Sequence, residues 1–206
     1  IYDGKQKEAE QLANKTIITK KSHGQMFEPV GSLHLNFKDH KNYTNYYREL
    51  DIERAVAKSS YAVGDVVYTR EVLASLSDRV IVMHLTANKP GSISFSATLS
   101  TPQPKGVIQT SGGKELTISG TTIDHEGVEG KVRFKGIARF KTEGGTLTSN
   151  DTALVVNDAN VVTIYIAMAT NFNNYNDISG NENERASVLV NAAPPKSFDR
   201  ILKAHV

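Results

Sequence analysis

The sequence predicts a mainly β protein, a large antiparallel β-sandwich (super-sandwich) with a short N-terminal helix and a truncated C-terminal helix. Apolar residues alternate strictly with Ser and Thr over residues 92–100, as expected of a strand with one buried face. A nearly continuous apolar run at 80–85 indicates a strand that is covered on both faces. Turn signals at Gly64-Asp65 and 88–91 separate these runs. About ten such strands and few helices favour a sandwich over the whole chain.

The central stretch, residues 46–100, predicts four strands in succession that form an antiparallel meander. Before it, Asp3 and Gln6 resemble a helix N-cap with its reciprocal partner, and the helix is expected to end near Lys15. A loop then leads to a short strand at 33–37. Residues 38–47 are polar and tyrosine-rich, and 48–57 predict a strand or extended segment that includes a possible helical turn.

The second half predicts strands at 116–120, 131–141, 154–156 and 161–169. Five cations lie on one face of the 131–141 strand, and we interpret them as a solvated sheet face rather than a site for an acidic partner. Residues 170–184 predict an Asn-rich loop. Ser197 is an N-cap candidate for a helix that is still running at Val206.

Composition excludes several classes of function. A net charge of +2 from scattered Lys and Arg does not predict nucleic-acid binding. The chain has no Cys, no zinc-ligand spacing among its six His and no apolar run of roughly 18 residues, so we expect no metal site and no membrane span. Since the chain starts at Ile1 and stops within a helical pattern, we expect it to be a piece of a longer protein.

Several segments resemble the N-terminal β-sandwich domain of glycoside hydrolase family 95, the inverting α-L-fucosidases. Their order and spacing agree along nearly the whole chain, although each motif alone is weak. The matching segments are EAEQLA at 8–13, FEPVGSL at 27–33, YRELDI at 47–52, YTREV at 68–72 followed by Ala74-Ser75, DRVIV at 78–82 and ATNFN at 169–173.

The resemblance implies that residues 1–196 are a β-sandwich domain without its first segment. Residues 197–206 would then start a linker helix towards a catalytic (α/α)6 barrel of the same polypeptide. It places the catalytic residues in that barrel and none in this chain. It also implies a fucosylated glycan substrate (α-L-galactosides are the alternative), no cofactor, and a periplasmic or secreted protein.

Two loops are the strongest candidates for sugar contact, at residues 23–28 and 171–175. Each combines amides or a carboxylate with an aromatic ring, the pairing that binds sugar hydroxyls and C–H faces. The candidate substrate-binding residues are Gln25, Glu28, Asn171, Asn173 and Tyr175. Turns stabilised by Asn side chains are an equally good interpretation of both loops.

Other polar clusters favour simple turns. Asp124 and Glu126 flank His125, but Gly127 follows at once, which is typical of an exposed turn.

A rival function is a stand-alone carbohydrate-binding or adhesion module, which predicts a polar surface all round. An accessory domain of a hydrolase predicts instead an apolar surface where the barrel docks. A third hypothesis is a purely structural sandwich.

Overall fold

A computed structural model describes residues 2–17 and 27–206 of the chain. In chain order the strands are β1 (Ser32–Asn36), β2 (Thr44–Asp51), β3 (Val56–Val63), β4 (Val66–Ser75), β5 (Val80–Ala87), β6 (Ile93–Ser100), β7 (Val107–Ser111), β8 (Glu115–Thr121), β9 (Arg133–Glu143), β10 (Thr146–Ser149), β11 (Ala153–Ala159) and β12 (Val161–Thr170). The helices are α1 (Gln6–Thr16), α2 (Glu182–Ala192) and α3 (Phe198–His205).

The strands form two antiparallel sheets, which confirms the predicted β-sandwich. The larger sheet has the order β2-β3-β4-β5-β12-β9-β8-β7, and the smaller has the order β1-β6-β11-β10. Between them lies a core to which alternating residues of several strands contribute, such as Phe95 of β6, Phe140 of β9 and Ile164 of β12. Burial of each such side chain stabilises the fold by about 2 kcal/mol. The two sheets therefore hold each other in place through this shared layer.

The central stretch contains five strands rather than the predicted four. β2 begins at Thr44, inside the segment described above as polar and tyrosine-rich, and the possible helical turn is the tight β2–β3 connection after Asp51. Strands β2 to β5 do form a meander, but β6 crosses to the smaller sheet and pairs with β1 and β11. The alternation in β6 determines which of its faces is buried. It does not determine which sheet the strand joins.

Helices α2 and α3 cover the outer face of the larger sheet. α2 was not predicted, because its first residues fall within the Asn-rich stretch 170–184. Asn181 caps this helix by accepting hydrogen bonds from the backbone N–H groups of Asn183 and Glu184, both at 3.1 Å. The Ser197 cap of α3 is confirmed, since its hydroxyl accepts from the Arg200 N–H at 3.2 Å.

The C-terminal helix α3 packs directly on the larger sheet. Its Ile201 is fully buried in a second core that includes Leu73, Val82 and Tyr165 of the sheet together with Val190 of α2. The α2–α3 connection is fixed by an ion pair between Lys196 and Asp78, whose carboxylate is 5% exposed. The region 197–206 is thus integrated into the sandwich domain.

The cation stripe on β9 is only in part the solvated face that the sequence favoured, because some of its exposed cations also bind groups at the ends of α2. Arg133 binds both carboxylate oxygens of Glu182, at 3.0 and 3.1 Å. The Lys141 ammonium donates to the Pro194 carbonyl at 3.2 Å. These cations meet the termini of α2 because that helix lies across β9, a contact that the strand sequence alone does not reveal.

The first helix differs from its predicted form. α1 begins at Gln6, Lys5 occupies the N-cap position, and no side chain caps it, so the predicted Asp3 cap is wrong. The helix buries none of its residues, and Leu12 of its expected apolar face is 62% exposed. Its helicity therefore depends on local propensity, without support from the sandwich.

The larger sheet has two free edges, β2 and β7. Every residue of β2 except Asp51 is exposed. The pairing of β2 with β3 shifts register between Thr44 and Tyr47, where Asn45 has a φ of 51°. β7 is only five residues long.

His84 links β5 to the helix layer. Its ring stacks on Phe198 with centroids 4.2 Å apart, and its Nδ1 lies 3.0 Å from the Thr163 hydroxyl. His84 is therefore a hydrogen-bonded structural residue of the sandwich. Desolvation by burial lowers the pKa of His84, because the charged imidazolium loses water in this position.

We expect the domain to lose stability as the pH falls below about 6.5, the ordinary histidine pKa. Because the folded-state pKa of His84 is lowered, the unfolded chain takes up the proton first, so stability is lost progressively as the pH falls from the unfolded to the folded pKa and is not regained below it. Thermal unfolding measured between about pH 8 and pH 5 checks this. His84→Gln should flatten the slope, and His34→Gln, which replaces an exposed histidine, is the control. Equal slopes for both variants and the parent would contradict the assignment.

Candidate functional site

One end of the sandwich, here called the loop end, carries large apolar side chains in solvent. It consists of the β2–β3 and β4–β5 turns, the end of β12 and the segment 171–181 that leads into α2. Ile52 and Leu76 at the two turns are 87% and 89% exposed. Met168 on β12 and Val188 on α2 are 51% and 58% exposed. This arrangement is typical of a surface that another protein element covers.

The hairpin turns at the opposite end of the sandwich are polar and held by internal hydrogen bonds. The Asn88 side chain accepts from the Val67 N–H at 2.8 Å, and the Asn160 side chain accepts from the Gly91 N–H at 2.7 Å. Lys89 pairs with Asp65 across the two neighbouring turns. The two ends therefore differ in chemistry, although both consist of turns between strands.

The loop 171–180 is fixed by Asn171, one of the predicted site residues. This side chain is fully buried. Its Nδ2 donates to the carbonyls of Lys131 and Ile178, at 3.3 and 2.9 Å, and its Oδ1 accepts from the Arg133 N–H at 2.8 Å. The amide of Asn171 thus holds the loop to the start of β9, and within the described residues it faces no open space.

The rest of this loop presents the predicted residues Asn173 and Tyr175 at the surface. Asn173 donates to Asp177 at 2.8 Å and accepts from the Arg185 guanidinium. Hydrogen bonds from Ser179 and Asn173 lower the pKa of the Asp177 carboxyl, so it is ionised at neutral pH. The Tyr175 ring is 89% exposed. Its flat face is available to stack on a ligand.

A groove of about 710 Å³ lies beside this loop, with Thr170, Arg79 and Arg185 among the residues that line it. Arg185 donates to the carbonyls of Thr170 and Phe172, each at 3.0 Å, so it stabilises the backbone that lines the groove. Neither Arg79 nor Arg185 was selected from the sequence as a candidate site residue. The capping signal Asn181-x-x-Glu184 would have placed Arg185 on a helix beside the loop.

The second predicted loop is only partly within the described residues, and Gln25 lies outside them. Glu28 is half-buried, and the neighbouring Phe27 is 94% exposed. The segment that follows is tied down because Gln103 donates to the Pro29 carbonyl at 3.0 Å. Since Gln103 follows the end of β6, this segment also lies at the loop end.

The acidic cluster at 124–126 forms a tight turn. His125 and Val128 pair through two backbone hydrogen bonds of 2.9 and 2.8 Å, and Asp124 accepts from the Gly130 N–H at 3.1 Å. In the part of the chain that the structure describes, no group of three or more His, Asp or Glu side chains could hold a metal ion. None of the described helices is long and apolar enough to cross a membrane.

Comparison with known proteins identifies the type of domain. The family profile described as "Glycosyl hydrolase family 65, N-terminal domain" matches residues 1–175. The chain belongs to this family. The domain is 32% identical over 172 residues to alpha-L-fucosidase 2 of Arabidopsis thaliana, a match that covers 71% of this chain and 20% of that protein. The chain thus spans about a fifth of the curated relative that it matches.

A solved structure confirms the fold of this glycoside hydrolase N-terminal domain. A putative kojibiose phosphorylase from the human microbiome superposes with a TM-score of 0.57 at 12% identity. The match covers 91% of this chain and 30% of the other. The predicted resemblance to an N-terminal glycoside hydrolase domain with a fucosidase relative is confirmed. The matching profile is named for family 65, whereas the resemblance pointed to family 95.

Proposed function

We propose that the chain is the accessory β-sandwich of a family 95-like inverting α-L-fucosidase and docks on the catalytic barrel through its loop end. The 32% identity to an α-L-fucosidase supports the choice of substrate, a terminal α-L-fucoside on a glycan. The catalytic carboxylates belong to the barrel in this proposal, and the reaction requires no cofactor. We also propose a periplasmic or secreted location, where such glycans are found.

The observation that carries this proposal is the contrast between the two ends of the domain. At the loop end Leu76 is 89% exposed and Ile52 is 87% exposed, whereas the turns of the opposite end are polar. Exposed apolar side chains gathered at one end gain free energy when a partner removes them from water. A stand-alone binding module has no reason to retain them.

Docking through this end would place the candidate sugar contacts at the barrel. Tyr175 would stack on a sugar ring, while Asn173, Glu28 and Gln25 would bind hydroxyl groups. Asn171 would act indirectly, by holding the loop in position. An inverting glycosidase needs an acid and a base whose carboxyls are roughly 6.5–9.5 Å apart around a water molecule. We assign both groups to the barrel, so this chain contributes binding and support.

The test is proton NMR of 2′-fucosyllactose with the purified chain and with the longer polypeptide that includes the barrel. We expect no fucose release by the chain alone, and release with inverted anomeric configuration by the longer protein. In the longer protein, Tyr175→Ala should lower kcat/KM about tenfold, the effect of losing one stacking contact. Tyr43→Ala, which removes an exposed tyrosine at the opposite end, is the matched control.

Three results would each contradict a part of the proposal. Fucose release by the purified chain would place catalysis within it. Equal kcat/KM for Tyr175→Ala and the parent enzyme would remove the loop from the substrate site. If Leu76→Asp in the longer protein left its thermal unfolding unchanged as well, the loop end would not be a docking surface.

A further inference from the structure

We propose that a groove at the polar end of the domain is a separate binding site for an uncharged sugar. This polar groove is lined by residues of both sheets, including Ser96 of β6 and Tyr68 of β4, and has a volume of about 540 Å³. Volumes of this order accommodate small ligands such as one or two sugar rings. The residues that define it are Asn36, Asp39, His40, Ser96 and Asn157.

The wall of the polar groove is shaped by a bulge in β11. The pairing of β11 with β6 shifts register between Val156 and Ala159, and Asp158 has a φ of 55°. The bulge is held by Ser94, whose hydroxyl accepts from the Asp158 N–H at 2.9 Å. Bulges of this kind redirect side chains and are frequent beside binding sites.

The second observation is that the groove contains hydrogen-bonding groups that the fold does not use. Among the described residues, the side chains of Asn36, Ser96 and Asn157 form no hydrogen bond with another residue, and neither does the Asp39 carboxylate. At the loop end, in contrast, Asn173 is bound to its neighbours. Amides and hydroxyls both donate and accept, which matches the sugar hydroxyl group.

One side of the groove is a fixed pair of rings, His40 and Tyr68, with centroids 4.4 Å apart. His40 Nδ1 lies 2.8 Å from the Tyr61 hydroxyl, and the Tyr68 hydroxyl donates to the Ser92 carbonyl at 3.2 Å. Burial lowers the pKa of His40, so the imidazole is neutral at pH 7. These rings supply an apolar wall for the C–H groups of a sugar.

The charges around the groove argue for an uncharged ligand. Lys38 and Asp39 are adjacent and opposite in sign, and the Asp158 carboxylate adds one negative charge. Phosphorylated or acidic sugars would therefore be repelled. Because the groove lies at the end opposite to the loop end, it remains open to solvent when the loop end is covered. The inference is independent of the proposed fucosidase function.

The test is a ¹H–¹⁵N NMR titration of the chain with lactose and with 2′-fucosyllactose up to about 20 mM, a range suited to weak sugar affinity. We expect shift changes at the side-chain amides of Asn36 and Asn157. The double variant Asn36→Ala/Asn157→Ala should lose about tenfold or more in affinity, which corresponds to the loss of one or two hydrogen bonds. Both residues are exposed, so the variant is expected to fold.

Thr98→Ala is the control, because it removes an exposed hydroxyl from the same sheet face outside the groove. It should leave the affinity unchanged. The inference is overturned if neither sugar shifts the groove signals, or if the double variant binds like the parent. Shifts confined to Asn173 and Tyr175 would also overturn it, while they would support the sugar contact proposed for the loop end.

Discussion

Glu115→Ala should destabilise the domain by about 3 kcal/mol, because it leaves the Arg139 guanidinium buried without its counter-ion. The two side chains are 13% and 17% exposed. Arg139 Nε donates to Glu115 at 2.7 Å, and the same guanidinium donates to the Asn191 side chain at 2.7 Å. The pair therefore connects β8, β9 and the end of α2, and the loss should be evident in chemical denaturation.

The matched control is Glu129→Ala, which removes one partner of the pair with Lys131. Those side chains are 70% and 63% exposed, so the loss should be below about 1 kcal/mol. Glu115→Gln keeps the shape of the side chain and one acceptor oxygen, and it should fall between the two variants. If Glu115→Ala were as stable as Glu129→Ala, the ion pair would contribute nothing to the attachment of α2.

Asn171→Ala should cost about 3 kcal/mol and release the loop 171–180. The substitution removes one acceptor and two donors, so the Arg133 N–H and the carbonyls of Lys131 and Ile178 lose their partner. A buried polar group without a partner costs about 1–3 kcal/mol. Hydrogen exchange should report the loop opening, while urea denaturation measures the loss for the whole domain.

Asn174→Ala is the control within the same loop. Its side chain is exposed, and its Oδ1 accepts only from the Asn176 N–H, at 2.9 Å. We expect a loss below about 1 kcal/mol and no change in exchange at residues 171–173. If the loop in Asn171→Ala exchanged no faster than in this control, the contacts of Asn171 would not be what positions Asn173 and Tyr175.

Much of the fold was predictable because strands with one buried face alternate in sequence. The pattern in Ile93, Phe95 and Ala97 predicted β6, and these side chains are buried as expected. The predicted antiparallel sandwich followed from several such strands. The crossing of β6 into the smaller sheet was not predictable, because an alternating strand satisfies the same pattern in either sheet.

Helix α2 was missed for a different physical reason. Its buried side consists of Glu182, Ala186 and Val190, a narrow stripe in which only one residue is strongly apolar. Glu182 can be buried here because it forms an ion pair with Arg133, which is distant in the sequence. An ion pair between residues that are distant in the sequence leaves no local periodicity. Neither α2 nor the contacts of the cations on β9 could therefore be predicted from the sequence.

The residue types of the candidate site could be predicted from the sequence, but the role of each residue could not. The concentration of Asn at 171–174 predicted a loop in which Asn side chains could stabilise a turn, and Asn171 does hold this loop in place. The sequence pattern could not distinguish Asn171, whose side chain forms three internal hydrogen bonds, from the exposed Tyr175. Hydrogen bonding to a distant backbone depends on the tertiary fold, which local sequence does not specify. The polar groove has no sequence signature, since its residues come from several strands and loops that are distant in the sequence.

The free edges of the larger sheet bear on how the domain behaves at high concentration. A flat, regular edge invites a strand from another molecule, which leads to aggregation. The register shift at Asn45 interrupts β2, and the adjacent charges of Arg48 and Glu49 must be desolvated before a second strand can pair there. β7 offers only five residues to an incoming strand. Both edges thus oppose growth of the sheet.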